Sequence, residues 1–285
     1  MHSLLFGIAA ALCWGVHDVC VRFVTARCGP VLSFLTVLGS GVLIILPLAL
    51  YAGGWSALGP GNATLGILSG LAYAGGGYSL YRAFEIGPVR LVAPLIGAYP
   101  VLSLLWAAAQ GQPPSLPQIL AVLAIVAGVG LNAALSDHDA SKGADRHARL
   151  KAALVWSLAA CAGFGLTFAL GQAASLQGGG LALILLSRVG AFLGLLSAAL
   201  TLRAPLPLRG APYPLLVLMG LCDATALGLV QFAGTLPRPE FAAVTSSTFG
   251  MVTILLAWIF LKERMNPPQW GAVALVFAGV GYLAL

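Results

Sequence analysis

Charge is what this sequence has least of. Of its 285 residues only 8% are Asp, Glu, Lys or Arg, against about 25% in an ordinary soluble domain, so there is too little polar surface to clothe a water-soluble globule. Five cysteines (Cys13, Cys20, Cys28, Cys161, Cys222) contain no C-x-x-C pair and lie mostly inside apolar segments. They read as small buried hydrophobes rather than a disulfide framework. No G-x-x-x-x-G-K-[ST] occurs, the four histidines form no H-E-x-x-H, and no serine sits in G-x-S-x-G. ATP is therefore not a motor here, and the usual hydrolase signatures are missing. We expect no catalytic residue, no cofactor and no metal.

What the chain has instead is apolar length: 60% of residues are hydrophobic. Ten runs of about 20 residues, long enough as helices to cross a hydrocarbon core of about 30 Å, span 3–24, 31–52, 63–84, 89–109, 116–135, 151–174, 180–202, 212–234, 239–261 and 268–285. A β-barrel would alternate apolar and polar positions, and lipid tolerates no open sheet. The expected class is an all-α integral membrane protein. The opening "MHSLLFGIAAALCWG" has no Lys or Arg before its apolar run and is followed by nine further spans, so it reads as a retained helix rather than a signal peptide.

Basic residues are distributed unevenly. Twelve of the 14 follow odd-numbered spans, from Arg22 and Arg27 through to Lys262 and Arg264, while the other side has Arg238 alone and Arg188 lies inside the seventh span. The positive-inside rule makes the richer face cytoplasmic and puts both termini outside, in a bacterial-type inner membrane. The net charge of +6 is then a rim facing the cytoplasm, which argues against nucleic acid as a partner. The bilayer and a small molecule are the expected partners, and nothing requires an oligomer. The polar stretch 136–150 reads as a cytoplasmic linker between a first unit, 1–135, and a second, 151–285.

Those units repeat one another. "AVLAIVAGVG" at 121–130 returns as "AVALVFAGVG" at 272–281, "PQ" at 117–118 returns at 268–269, and "GLAYA" beginning at Gly70 returns as "GLCDA" beginning at Gly220, at offsets of 151, 151 and 150. Because five spans per unit is odd, the second unit enters the membrane from the opposite side, giving inverted five-helix repeats. That arrangement exposes one central site alternately to two compartments.

The stretches "AAALCWGV", "YRAFEIGPVRLVAPLIGAYPVLSLLWA" and "FAAVTSSTFGMVTILLAWIFLKERMNPPQWGAVALVFAGVGYL" resemble the ten-helix EamA-type members of the drug/metabolite transporter superfamily. The last resembles that family's recurrent ending, with Glu263 in the loop, Pro268 opening the final helix and an A-G-V close. Two departures occur: the Pro100 position corresponds to Gly250-Met251 in the second half, and Glu263 corresponds to Gln112 in the first. Termini facing outward resemble the branch that exports aromatic and other neutral amino acids. The resemblance implies a secondary transporter of that kind working by alternating access. Exporters of other metabolites or lipophilic drugs on the same fold are the alternative, and an intramembrane enzyme or scaffold is a remote third.

Substrate sites in such proteins gather where helices are interrupted and polar groups enter the membrane. Gly76 within "GGG", Pro94 and Pro100 in the fourth span and Gly250 in the ninth are the candidate hinges, although glycine also serves close helix packing. Trp14, Tyr78, Tyr99, Phe164, Phe168 and Phe249 are the aromatic candidates for stacking on a substrate. Phe164 and Phe168 share a helical face, as do Trp14 and His17. His17 and Asp223 are ionisable at depth, where each charge is costly. Asp223 either pairs with Arg188 or lines a solvated cavity. Ser246 is a candidate hydrogen-bonder to a carboxylate, with its own helix backbone as the competing partner.

Overall fold

Backbone amides in lipid must find partners within the chain, and this chain satisfies them with helices. The computed structural model describes residues 2–99, 101–102, 105, 108, 111, 113–138, 144–233, 245–246 and 248–283. Every regular element among the described residues is helical. The α-helices are α1 (His2–Ala52), α2 (Pro60–Ile86), α3 (Val89–Ile96), α4 (Leu116–His138), α5 (Ala144–Ser175), α6 (Gly180–Thr201), α7 (Tyr213–Ala233), α8 (Phe249–Leu256), which continues as a π turn over Ala257–Leu261, and α9 (Pro267–Leu283). Among the described residues four stretches are long and apolar enough to cross a membrane: Ser3–Ala52, His147–Ser175, Gly180–Thr201 and Tyr213–Val230.

The structure corrects the expected boundaries in several places. The spans 3–24 and 31–52, expected as two helices with a loop between them, fall in one element broken at a single residue, Gly29 (φ 72°, ψ 167°). That left-handed region is open to glycine at little cost, and Pro30 follows with no amide hydrogen to lose. Trp14 of the first arm reaches Asp223 of α7, while Ser40 of the second arm lies against Gly220, one turn away. The arms 2–28 and 30–52 therefore form a hairpin.

The fourth span, expected over 89–109, is helical as α3 to Ile96, turns at 97–99 and is helical again at the described residues 101, 102, 105 and 108. Pro94 removes a helical donor, and a proline after Tyr99 disfavours helical backbone there. Pro100 itself lies outside the described residues. The ninth span, expected from 239, is helical at 245–246, turns at 248 and continues as α8 from Phe249, with 234–244 outside the described residues. The linker expected over 136–150 is largely helical: α4 runs to His138 and α5 starts at Ala144, with 139–143 outside the described residues. Helix-favouring Ala, Arg, Leu and Lys extend α5 past the apolar boundary. Glycines 75–77, expected to interrupt the third span, leave α2 unbroken.

Packing explains that last point. Helix α2 lies along α5 and α6, α1 along α7, and α4 along α9, with glycines at the crossings. A Cβ on Gly70 would come within 2.0 Å of the Ser187 carbonyl oxygen, one on Gly220 within 1.9 Å of Ser40 Oγ, and one on Gly163 within 2.4 Å of Gly76 Cα. Without a hydrophobic drive between helices in lipid, such close backbone approach is how dispersion contact is gained.

The end carrying the arginines is fastened by polar contacts. Glu263, in the loop after α8, accepts the Val89 and Arg90 amides at 3.1 and 3.3 Å, which satisfies the unpaired start of α3 with a negative charge. The Arg22 guanidinium donates to the Phe84 carbonyl at 2.7 Å and to the Gly87 carbonyl, closing the end of α2. Asn132 Nδ2 donates to the Arg90 carbonyl at 2.6 Å, tying α4 to α3.

Candidate functional site

Asp223 sits on α7 in the segment "GLCDA", with 3% of its surface exposed. Three side chains from three other helical segments converge on it. Arg188 of α6 donates from Nη2 to Oδ2 at 2.7 Å. Tyr73 of α2 donates its hydroxyl between Oδ1 and Oδ2, at 2.8 and 2.9 Å. Trp14 of the first α1 arm donates from Nε1 to Oδ1 at 3.1 Å. Arg188 is 1% exposed, and its guanidinium carbon stands 5.9 Å from the Tyr73 ring centroid. A buried charge of either sign alone would be strongly unfavourable; here they neutralise one another with charge-assisted hydrogen bonds. Of the two alternatives for Asp223, the described contacts are those of the ion pair.

Aromatic rings continue outward from this cluster. Trp14 meets Phe249 edge to face, with centroids 6.0 Å apart. Tyr73 packs on Phe164 at 5.8 Å, and Tyr99, in the turn after α3, stacks on Phe168 at 4.9 Å. The hinge candidates sit beside them. A Cβ on Gly250 would come within 2.5 Å of Phe277 Cζ and 3.3 Å of the Ala93 carbonyl, so the start of α8 rests on α3 next to Pro94. Gly76 lies where α2 crosses α5, with the backbone of Gly163 and Phe164 opposite it.

A second polar cluster lies one turn along the first α1 arm. His17 Nδ1 meets Asp18 Oδ1 at 2.9 Å, and its Nε2 meets the Tyr81 hydroxyl at 3.0 Å. All three are buried. Phe34 links the clusters by packing on both Tyr73 and Tyr81. Although His17 and Trp14 share a helical face, their polar atoms go to different partners. Ser246 is buried, 3% exposed; near it the Thr248 hydroxyl donates to the Thr245 carbonyl at 2.6 Å, the local backbone partner available to hydroxyls in helices.

Tyr78 stands apart from these groups. Its ring meets Trp156 edge to face at 5.7 Å, with Arg82 over the same indole, at a cleft of about 370 Å³ lined by Cys28, Gly29, Glu85 and Pro205. The cleft opens at the hairpin bend, and the Arg82–Glu85 ion pair flanks it.

Sequence reasoning passed over Tyr73 and Phe34. The signal for Tyr73 was present: it is the fourth residue of "GLAYA", the position Asp223 occupies in "GLCDA". Phe34 has no comparable mark, being one phenylalanine in an apolar span. No group of three or more His, Cys, Asp or Glu residues suited to a metal occurs among the described residues.

The description of the EamA-like transporter family matches residues 1–134 and 151–285. A solved structure titled only as a crystal structure of a protein aligns with a TM-score of 0.67 at 16% identity, covering 99% of this chain and 96% of that one. At that identity the likeness concerns the fold. No curated protein matches the chain.

Proposed function

The chain belongs to the EamA-like transporter family, and from that premise we propose that it exports small neutral and aromatic amino acids by alternating access around the Asp223 cluster. Membership makes it a multi-pass membrane transporter of the drug/metabolite superfamily. The finer reading adds the substrate class, the inverted repeats, an inner-membrane location and termini facing outward.

The observation that carries it is that positions equivalent in the two halves meet at the centre. Adding 150 to Tyr73 gives Asp223, and the Tyr73 hydroxyl lies 2.8 Å from the Asp223 carboxylate. Adding 150 to Trp14 gives Phe164; Trp14 meets Asp223 and Phe164 meets Tyr73, the same contact with the units exchanged. Helix packing follows the same exchange. Gly15 rests on Val252 and Gly165 on Leu102; Gly70 rests on Ser187 and Gly220 on Val37; Gly128 rests on Val276 and Gly279 on Ile125. Each pair becomes its mate when one unit is exchanged for the other, at an offset of 150 or 151. Such reciprocity is what a two-fold axis between the units produces, and a site on that axis is where rocking of one unit against the other opens alternate sides.

The aromatic rings favour a substrate with a flat apolar body, which stacks at centroid distances of about 4.5–7 Å. Trp14, Tyr99, Phe164, Phe168 and Phe249 form this wall, with His17 and Ser246 as polar neighbours and Pro94, Pro100, Gly76 and Gly250 as the hinge positions. Tyr78 belongs to the hairpin-end cleft, which we assign to the cytoplasmic approach because Arg22, Arg27 and Arg82 gather there.

Counterflow tests the reading. Liposomes holding the purified protein are loaded with unlabelled phenylalanine or threonine and given traces of the labelled amino acid outside, without an ion gradient. Accumulation of label, suppressed by competing neutral amino acids, is the expected result. Protein-dependent exchange of other metabolites with none of any amino acid would move the substrate to a different branch of the superfamily.

A further inference from the structure

The Arg188–Asp223 pair is asymmetric in what it leaves unused. Asp223 already accepts three donors, close to the four or so that a carboxylate takes. Arg188 spends only Nη2 on it; Nε and Nη1, both fully buried, have no hydrogen-bond partner among the described residues. A guanidinium buried at 1% exposure with two idle donor nitrogens is unusual, since buried polar groups are nearly always satisfied. The second α1 arm covers Nη1 with bare backbone, so a ligand reaches these donors only as that arm moves away. Gly41 of the second α1 arm lies so close that a Cβ there would fall 2.5 Å from Nη1 and 3.3 Å from Cζ.

We infer that the unpartnered Nε and Nη1 donors of Arg188 are the receptor for the substrate's carboxylate, and that the ion pair as a whole selects zwitterions. The inference rests on the amino-acid reading above and deepens it. Three arguments lead there. First, a planar carboxylate matches the fixed fork of a guanidinium and forms the stronger, charge-assisted kind of bond. Second, the pair is neutral within the membrane, where net charge is expensive. A zwitterion entering beside it keeps the site neutral, whereas a decarboxylated amine adds a positive charge and a deaminated acid a negative one. Third, the substrate's ammonium meets the Asp223 carboxylate's remaining acceptor capacity and the faces of Trp14 and Tyr73, which attract cations. The side chain then lies toward Phe249 and Phe164.

The test uses the full-length wild-type protein in liposomes, with labelled phenylalanine counterflow challenged by three competitors of the same ring size. Unlabelled phenylalanine is expected to suppress uptake, while phenethylamine and 3-phenylpropionate compete at least about tenfold more weakly, the order expected for losing a hydrogen bond to a charged group. Arg188→Lys keeps a cation for Asp223 and removes the fork, so it is expected to weaken phenylalanine competition by about tenfold while narrowing its advantage over phenethylamine. Equal competition by phenethylamine and phenylalanine on the wild type overturns the inference while leaving amino-acid transport standing, and it needs no variant to fold. Unchanged affinity in Arg188→Lys does the same. Absence of all amino-acid exchange, in vesicles where the protein exchanges some other solute, overturns the amino-acid reading and this inference with it.

Discussion

Removing the Asp223 carboxylate is the most informative single perturbation, because its expected cost is large and its cause specific. In Asp223→Ala, Arg188 keeps its charge at 1% exposure and loses the acceptor 2.7 Å from Nη2. Trp14 Nε1 and the Tyr73 hydroxyl lose theirs as well. Breaking a buried pair by deleting one partner costs about 3–5 kcal/mol. The Trp14 and Tyr73 donors add less, since both side chains are only half-buried and can reorient toward other acceptors. For a chain of this size that corresponds to a drop on the order of 10 °C in the unfolding midpoint. The control is a second variant, Arg188→Met with Asp223→Leu, which replaces the pair by apolar groups of similar volume and is expected to melt within a few degrees of the wild type or above it. Both variants are expected to be inactive in counterflow. Unfolding in mild detergent, followed by intrinsic fluorescence, gives the midpoints. If Asp223→Ala melts with the wild type, or if the double variant melts as low as the single one, the uncompensated guanidinium is not the source of the cost and the reasoning fails.

Three other predictions follow from separate parts of the structure. Gly70→Ala places a methyl 2.0 Å from the Ser187 carbonyl oxygen, whereas Gly75→Ala points into open space. The first is expected to lose about 1–3 kcal/mol by forcing α2 from α6 and the second to gain up to about 1 kcal/mol in helix propensity, which midpoints measured side by side will reveal. Trp14→Ala and Tyr99→Ala are expected to lower transport at least about tenfold while the protein still elutes as a single species by size exclusion; full transport in both would displace the proposed site. Glu263→Ala uncaps α3 and is expected to cost about 1 kcal/mol of stability with substrate competition unchanged; a shift in competition would tie the loop after α8 to the site.

The extent of the helices was legible in the sequence wherever hydropathy alone decides. The third, seventh, eighth and tenth spans were expected within a few residues of α2, α6, α7 and α9, because an apolar run of that length has no other stable form in lipid. Where the chain bends was less legible. Apolar runs do not record that Gly29 alone turns the hairpin, since Arg22 and Arg27 look like loop residues until Arg22 is seen to close the end of α2. The glycines were ambiguous for a related reason. Packing and interruption use the same residue, and only the neighbour opposite, Gly163 for Gly76 or Ser187 for Gly70, distinguishes them.

The centre was legible in a different way, through comparison of the chain with itself. Ionisable residues inside apolar spans single out Asp223 and Arg188 individually, but composition gives no reason for Tyr73 to be their partner. The repeat does. "GLAYA" and "GLCDA" align Tyr73 with Asp223, and the two-fold axis proposed above would bring equivalent positions near it close together, so a residue whose mate is charged and buried is a candidate partner for that charge. The same rule exposes the asymmetry that makes the site polar. Subtracting 150 from Asp223 and Arg188 gives Tyr73 and Leu38, so both charges come from the second half, while the first supplies a phenol and an apolar side chain. A symmetric pair of carboxylates this close would repel one another. One carboxylate and one guanidinium bonded directly, with the Tyr73 hydroxyl donating to the carboxylate, leave the cluster with opposite charges in balance.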